Sequence, residues 1–223
     1  MGAANLLFPT IKKQLNENFI QLFSKSIIQH PKSDDIQFGK ISSDEEWRQL
    51  GQFRQKNYQA KKPYMMTELN EDGKDCFDAH GQVYAAWLHD EMVASVRLCP
   101  HPFETEKLLT LDRVESLLGK NYRKDYLEWT RLLISAEIKM PYLLNALIVY
   151  AGMQTLATTH YRYYFGYSTL LVRRLFRHFK VTNTNLGFNI PHRGNHQYIL
   201  FKGSFLEDMY SLMNSQACQE IYL

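Results

Sequence analysis

The chain is poor in cysteine. Among its 223 residues only Cys76, Cys99 and Cys218 occur, widely spaced and with no Cys-x-x-Cys pair. That excludes a disulfide framework or a zinc cluster and fits a reduced, cytoplasmic setting. The eight histidines show no metal-ligand spacing, so neither a metal nor a permanently bound cofactor is expected. No apolar run reaches the ~18 residues needed to cross a membrane. The opening Met1–Pro9 lacks a basic start and a sustained apolar stretch, which makes it a poor secretory signal. Leu6 stands where myristoylation wants Ser or Thr. A net charge of only +3 argues against a nucleic-acid binder, while leaving room for a local basic patch toward an acidic partner. Repeats, low-complexity segments and linkers are absent. The length fits one domain over 1–223, with 1–35 as a helical N-terminal extension.

What is present is a mixture of both periodicities. Ile11, Leu15, Phe19, Leu22, Phe23 and Ile27 predict an amphipathic helix over 10–29, ended by the polar break at 30–35. A short strand over 36–41 follows. Ser43 and Glu46 form a capping-box signature that opens a helix carrying Trp47, Leu50, Phe53, Arg54 and Tyr58. Residues 61–73 read as a polar loop, and long loops in compact domains tend to be functional. A hairpin is expected from 82–89 and 92–99 with its turn at Asp90-Glu91, then a short helix over 112–119 and an apolar strand over 126–135. An all-round apolar helix over 141–159 implies deep burial. A strand over 161–167, a helix begun by Ser168 and running to Lys180, strand character at 198–201 and a last helix opened by Ser204 complete the chain. This order implies an α/β sandwich: a mixed, mainly antiparallel central sheet with helices on both faces.

Set into this frame is an ordered series of polar and aromatic residues: Arg54, Tyr58, Tyr64, Asp75, Asp78, Arg97, Glu128 and Arg131. Strand alternation puts Glu128 and Thr130 on one face and Trp129 and Arg131 on the other. Arginines and carboxylates near apolar strands are costly unless they pair or bind something. Such a group can hold a zwitterionic small molecule.

This series resembles the acyl-homoserine-lactone synthases, a branch of the GCN5-related N-acyltransferase fold, and the related N-acyl amino acid synthases. The match covers roughly residues 45–190. It rests on Arg54 with an aromatic four residues on, a second aromatic at Tyr64, the Asp75–Asp78 pair, Arg97-Leu98 followed by Pro100, and Glu128-Trp129-Thr130-Arg131. Each motif alone is weak; their order is specific. The lactone synthases usually carry Phe and Trp where this chain has Tyr58 and Tyr64, a departure on the acceptor side, and the extension before Arg54 is longer than usual.

The resemblance implies transfer of a fatty-acyl group from a thioester to an amine. In lactone synthesis the amine is that of S-adenosylmethionine, and a second step closes the lactone; acylation of a free amino acid is the alternative. Glu128 is then the candidate base, with Arg131 beside it, and a bulged strand around Trp129–Leu132 is expected to present amide donors to the oxyanion. Arg54, Arg97 and Arg131 would hold the acceptor's carboxylate, Asp75 and Asp78 its cationic centre, and Tyr58 and Tyr64 its sulfonium or adenine. Trp129, Thr130, Leu132 and Ile134 would line the acyl and pantetheine path. Acetyl-CoA-dependent members of the fold carry a glycine-rich turn for the pyrophosphate. Here Ser135–Pro141 has no glycine and carries Glu137, which points to acyl carrier protein, with its lone phosphopantetheine, as the donor. Arg173, Arg174, Arg177 and Lys180 form the basic face expected to dock that acidic partner.

Plainer readings stand beside these. Asp75 and Asp78 suit a turn, Arg97 and Glu128 a buried structural ion pair, and residues 173–180 a solvated helix face. The whole cluster can equally serve as a network that supports the acceptor loop. A catalytically dead acyltransferase fold used as a binding module is the competing class.

Overall fold

The protein, described here from a computed structural model, is defined for residues 15–169, 176 and 179–214. Seven strands form one sheet in the order β1-β2-β3-β4-β5-β7-β6. They are β1 Ile36–Lys40, β2 Gln82–Leu88, β3 Glu91–Cys99, β4 Tyr126–Ile134, β5 Tyr163–Thr169, β6 Thr182–Asn189 and β7 Gln197–Ser204. Every neighbouring pair is antiparallel except β4 with β5.

Helices cover both faces, as the order of elements implied. On one face lie α1 Glu17–Ser26, α5 Leu143–Thr158 and α6 Phe205–Met213. The all-round apolar α5 is buried along nearly its whole length, with Leu147, Ala151 and Met153 fully sequestered. Its contacts with Val96, Leu98, Leu127 and Trp129 make the larger core. The other face carries α2 Asp44–Lys61, whose Leu50, Phe53 and Tyr58 pack on Val83, Ala85 and Leu133. Further along that face α3 Leu111–Leu118 and the single turn α4 Tyr122–Asp125 cover Phe165 and Leu200. Each fully buried Leu or Phe contributes about 1.5–3 kcal/mol relative to exposure.

Local chemistry explains most boundaries. The Ser43 hydroxyl accepts from Glu46 N–H while the Glu46 carboxylate accepts from Ser43 N–H, the reciprocal cap read from sequence. Ser204 caps α6 by accepting from Glu207 N–H. Of the helix expected over 10–29, residues 10–14 lie outside the described residues; α1 starts at Glu17, where Asn16 accepts from Phe19 N–H and caps it. The β2–β3 turn is His89-Asp90, one residue before the expected one, with His89 at φ +49°.

Two expectations need correction, and one strand was not foreseen. The 61–73 segment contains a 3-10 helix over Pro63–Glu68. Ser168 does not start a helix: β5 runs on to Thr169, and Ser168 pairs with Ile199 of β7. The segment around 182–189, rich in Asn and Gly, is a strand; it sits at the sheet edge, where ladder pairing with β7 compensates for low strand propensity.

Candidate active site

The site begins with an irregularity in β4. Ser95 pairs with Leu133 and Arg97 with Thr130, so two steps along β3 match three along β4. The extra residue falls at Arg131–Leu132, and Arg131 takes φ +53°. The bulge expected around Trp129–Leu132 is therefore present, and Arg131 and Leu132 stand without partners in the register. It also corrects the expected alternation. Trp129 and Leu132 both face the larger core, whereas Arg131 turns to the side of Glu128 and Thr130. One inserted residue inverts the face of everything beyond it.

Parallel pairing of β4 with β5 covers only Tyr126–Trp129 against Tyr163–Gly166. Beyond that point the strands part, and a cleft of about 390 Å³ opens between them. Its apolar wall comes from Val96, Trp129, Ile148, Phe176 and Phe201, all of the larger core. Tyr58 and Met65, from the α2 side, line it too, so the cleft crosses the plane of the sheet. Lys61, Lys62, Glu104, Arg131 and Arg193 supply its charged wall, and His196 lines it as well.

Behind that wall lies a buried ion network. Arg54 clamps Asp78 with two bonds of 2.6 and 3.1 Å. Arg97 is fully buried; it donates to Asp78 at 2.9 Å, to Thr130 Oγ1 at 2.9 Å, to Glu104 at 3.3 Å, and to Asp75. Arg131 bridges Asp75 at 2.7 Å and Glu68 at 2.8 Å. Arg193 holds Glu68 at 2.7 Å, Glu104 at 2.8 Å and the Tyr167 hydroxyl at 2.9 Å. Burial works to raise the Asp75 carboxyl, but Arg97 and Arg131 outweigh it and hold it at about 2. Burial likewise acts to raise Glu68, and Arg193 and Arg131 bring it below the usual range.

Glu128 is fully buried and does not line the cleft. Its carboxylate accepts from the N–H groups of Glu104 at 2.6 Å and Thr105 at 3.0 Å, and from the Thr105 hydroxyl. Burial and the neighbouring Glu104 charge push it up to about 8, against those three donors. The carboxylate on the cleft wall is Glu104. Its two oxygens accept from Tyr167 at 2.7 Å, from Arg193 and from Arg97.

The ordered series thus converges, but in two tiers. Tyr58, Tyr64, Trp129, Thr130, Arg131 and Leu132 line the cleft. Arg54, Asp75, Asp78 and Arg97 brace it from behind by satisfying one another, and Glu128 does so through the backbone amides of Glu104 and Thr105. Ile134 packs against the larger core outside the cleft. Lys180 is exposed, and Arg173, Arg174 and Arg177 lie outside the described residues. Glu68, Glu104, Tyr167 and Arg193 were not singled out from sequence; Arg193 and Glu68 meet across 125 residues, beyond the reach of any local pattern.

The turn before α5 bears on the donor. Its amides are already engaged: Ser135 N–H with Val93 O, Ala136 N–H with Asn57 Oδ1 at 2.8 Å, and Glu137 N–H with Ser135 Oγ at 3.3 Å. Glu137 also pairs with Lys56. Among the described residues no group of His, Cys, Asp and Glu is arranged to hold a metal ion, and no helix is long and apolar enough to cross a membrane.

No family model and no curated protein sequence matches this chain. Solved structures match at the level of fold. BjaI, a CoA-dependent acyl-homoserine lactone synthase solved with S-adenosylmethionine and isopentyl-CoA, is similar at TM-score 0.61 and 15% identity, over 80% of this chain and 88% of that one. FeeM, an N-acyl amino acid synthase from uncultured soil microbes, gives 0.56 and 10%, over 83% and 97%. The acyl-homoserine lactone synthase LasI gives 0.53 and 16%, over 76% and 89%. The chain has the GCN5-related N-acyltransferase-type fold that these enzymes share.

Proposed function

We propose that this protein is an N-acyltransferase that moves a fatty-acyl group from the phosphopantetheine thioester of an acyl carrier protein to the amine of an amino-acid acceptor. The observation that carries this reading is the bulge at Arg131–Leu132, which leaves two residues without ladder partners where β4 and β5 part. Their N–H groups are suited to an oxyanion. The amine nitrogen attacks the thioester carbon, the C–S bond breaks, and the sulfur leaves with the arm as a thiol, carrying the proton that the nitrogen sheds. Glu104 takes the amine proton in place of Glu128 and returns it to the leaving sulfur, because Glu104 lines the cleft and Glu128 does not. Val96, Trp129, Ile148 and Phe201 give the acyl chain an apolar wall. The engaged amides of the 135–137 turn favour a donor without a pyrophosphate.

A free amino acid suits the charge of the cleft best. Asp75 and Asp78 are consumed by arginines and stand behind the wall, so neither is left for a sulfonium. The S-adenosylmethionine reading, leading to an acyl-homoserine lactone, is favoured by Tyr58 and Tyr64, whose rings line the cleft.

Purified protein with acyl carrier protein thioester and each acceptor class separates the readings. N-acyl amino acid formation is expected; methylthioadenosine release with S-adenosylmethionine supports the lactone. Carrier-protein binding without transfer to any acceptor would replace both with a binding module.

A further inference from the structure

The charged wall of the cleft contains a cation that no described residue neutralises. Lys62 is the residue at which α2 ends, half-buried on the cleft wall. Its backbone N–H bonds Tyr58 O, while its ammonium has no hydrogen bond or ion pair among the described residues. The neighbouring Lys61 differs: its ammonium lies 3.3 and 3.4 Å from the carbonyls of Ile134 and Ser135. The one carboxylate of the wall among the described residues, Glu104, is taken by Arg97, Arg193 and Tyr167, and Glu68 behind it by Arg131, Arg193 and His192. Burial and the charges of Arg193 and Lys61 lower the Lys62 ammonium, the signature of a cation lacking its counter-ion.

A second observation points the same way. Arg131 Nη1 is buried and unpartnered, although the rest of that guanidinium is paired and the residue lines the cleft. That nitrogen has no accessible surface of its own, so it adds an unsatisfied positive donor beneath the cleft wall rather than a direct ligand contact.

We infer that Lys62 Nζ, on a cleft wall that also carries Arg131, binds the carboxylate of the acyl acceptor. This rests on the acyltransfer reading above. The anion belongs to the acceptor and not the donor, because a phosphopantetheine arm carries its phosphate a full extended arm away from the thioester. Lys62 lines the same cleft as the Arg131–Leu132 bulge, so an anion it holds shares that cleft with the reacting carbon. The site selects a zwitterionic amine with a free carboxylate and rejects the corresponding amide or ester.

The test compares wild type with Lys62→Met, which keeps chain length, and Lys62→Arg, which keeps charge. L-leucine and L-phenylalanine are each paired with their amides. Losing one charge-assisted contact is expected to raise acceptor KM about 10–100-fold in Lys62→Met. Donor KM should stay within about 2-fold, the preference for acid over amide should vanish, and Lys62→Arg should recover most of the loss. An effect on donor KM, or intact acid-over-amide preference in Lys62→Met, overturns the inference while leaving acyltransfer standing. Titration calorimetry of the two amino acids, without donor, reads the site independently of turnover. If wild type makes no acyl product yet binds the amino acids, and Lys62→Met loses that binding, the inference stands and the acyltransfer reading falls. Binding absent from wild type, or unchanged in Lys62→Met, overturns it.

Discussion

The Glu104 backbone N–H donates to the Glu128 carboxylate at 2.6 Å, and the side chain of the same Glu104 reaches the cleft. Glu128 therefore acts on the site through the turn it holds. Its replacements should separate fold from chemistry. Glu128→Ala strands the amides of Glu104 and Thr105. Each buried unsatisfied donor costs about 1–3 kcal/mol, so denaturant unfolding should show a loss of about 2–6 kcal/mol. Glu128→Gln keeps most of the shape, and kcat should fall less than about 10-fold, against a fall of at least about 100-fold for Glu104→Gln. The reverse ranking, in folded variants, would return the base to Glu128.

Stability should depend on pH at both ends. The Asp75 carboxyl is held at about 2, below its ordinary 3.8, so its contribution is present above 3.8 and lost as pH falls toward 2. Glu128 is raised to about 8 from an ordinary 4.5, so its contribution is complete below 4.5 and lost as pH rises through 8. Between those values the folded state binds more protons than the unfolded one, and stability falls with pH by at most about 1.4 kcal/mol per unit. Chemical denaturation from pH 5 to 8 should show this decline, and Glu128→Gln should flatten it. A slope unchanged by the substitution would show that Glu128 is ionised throughout.

Arg54 and Asp78 form a two-bond pair with both side chains almost wholly sequestered. Removing one partner leaves a buried charge, so Arg54→Ala or Asp78→Ala should each cost about 3–5 kcal/mol. Arg97 also contacts Asp78, so the double variant should cost clearly less than the sum of the singles. Additive losses measured by denaturant titration would mean that the two groups act independently.

Local features carried much of the sequence reading. The Ser43–Glu46 cap, the buried α5 and the β2–β3 hairpin each depend on residues within a few positions of one another. The ordered polar series also led to one place in the fold. Its division into tiers was not legible, because whether Arg97 touches a ligand or Asp75 is settled by groups distant in the chain. The bulge was anticipated from chemistry, yet its effect on the face of Arg131 was not, since alternation assumes an unbroken ladder. Glu68 and Arg193 lie in segments with no periodicity, and only the folded β6–β7 connection brings them together.

Two glycines set the position of the acidic turn. A Cβ at Gly51 would overlap the Asp72 carbonyl oxygen, and one at Gly73 would overlap the Gly51 backbone. Gly73 also takes φ +72°, which disfavours any side chain. Helix α2 and the 72–73 backbone therefore touch without side chains between them, two residues before Asp75. Gly51→Ala has no flexible neighbour to displace, so the loop itself must move. Overpacking of this kind costs about 1–3 kcal/mol. The shift would carry Asp75 and Asp78 away from Arg54, Arg97 and Arg131, and Arg131 is the one of these that lines the cleft. Gly51→Ala should thus lower both thermal stability and kcat, although it lies outside the cleft. Gly119, at φ +91° with nothing within 4 Å of an added Cβ, is the matched control. Gly119→Ala should cost stability through backbone strain alone and leave kcat unchanged; if both variants affect kcat equally, the close approach of α2 and the loop does not set the site.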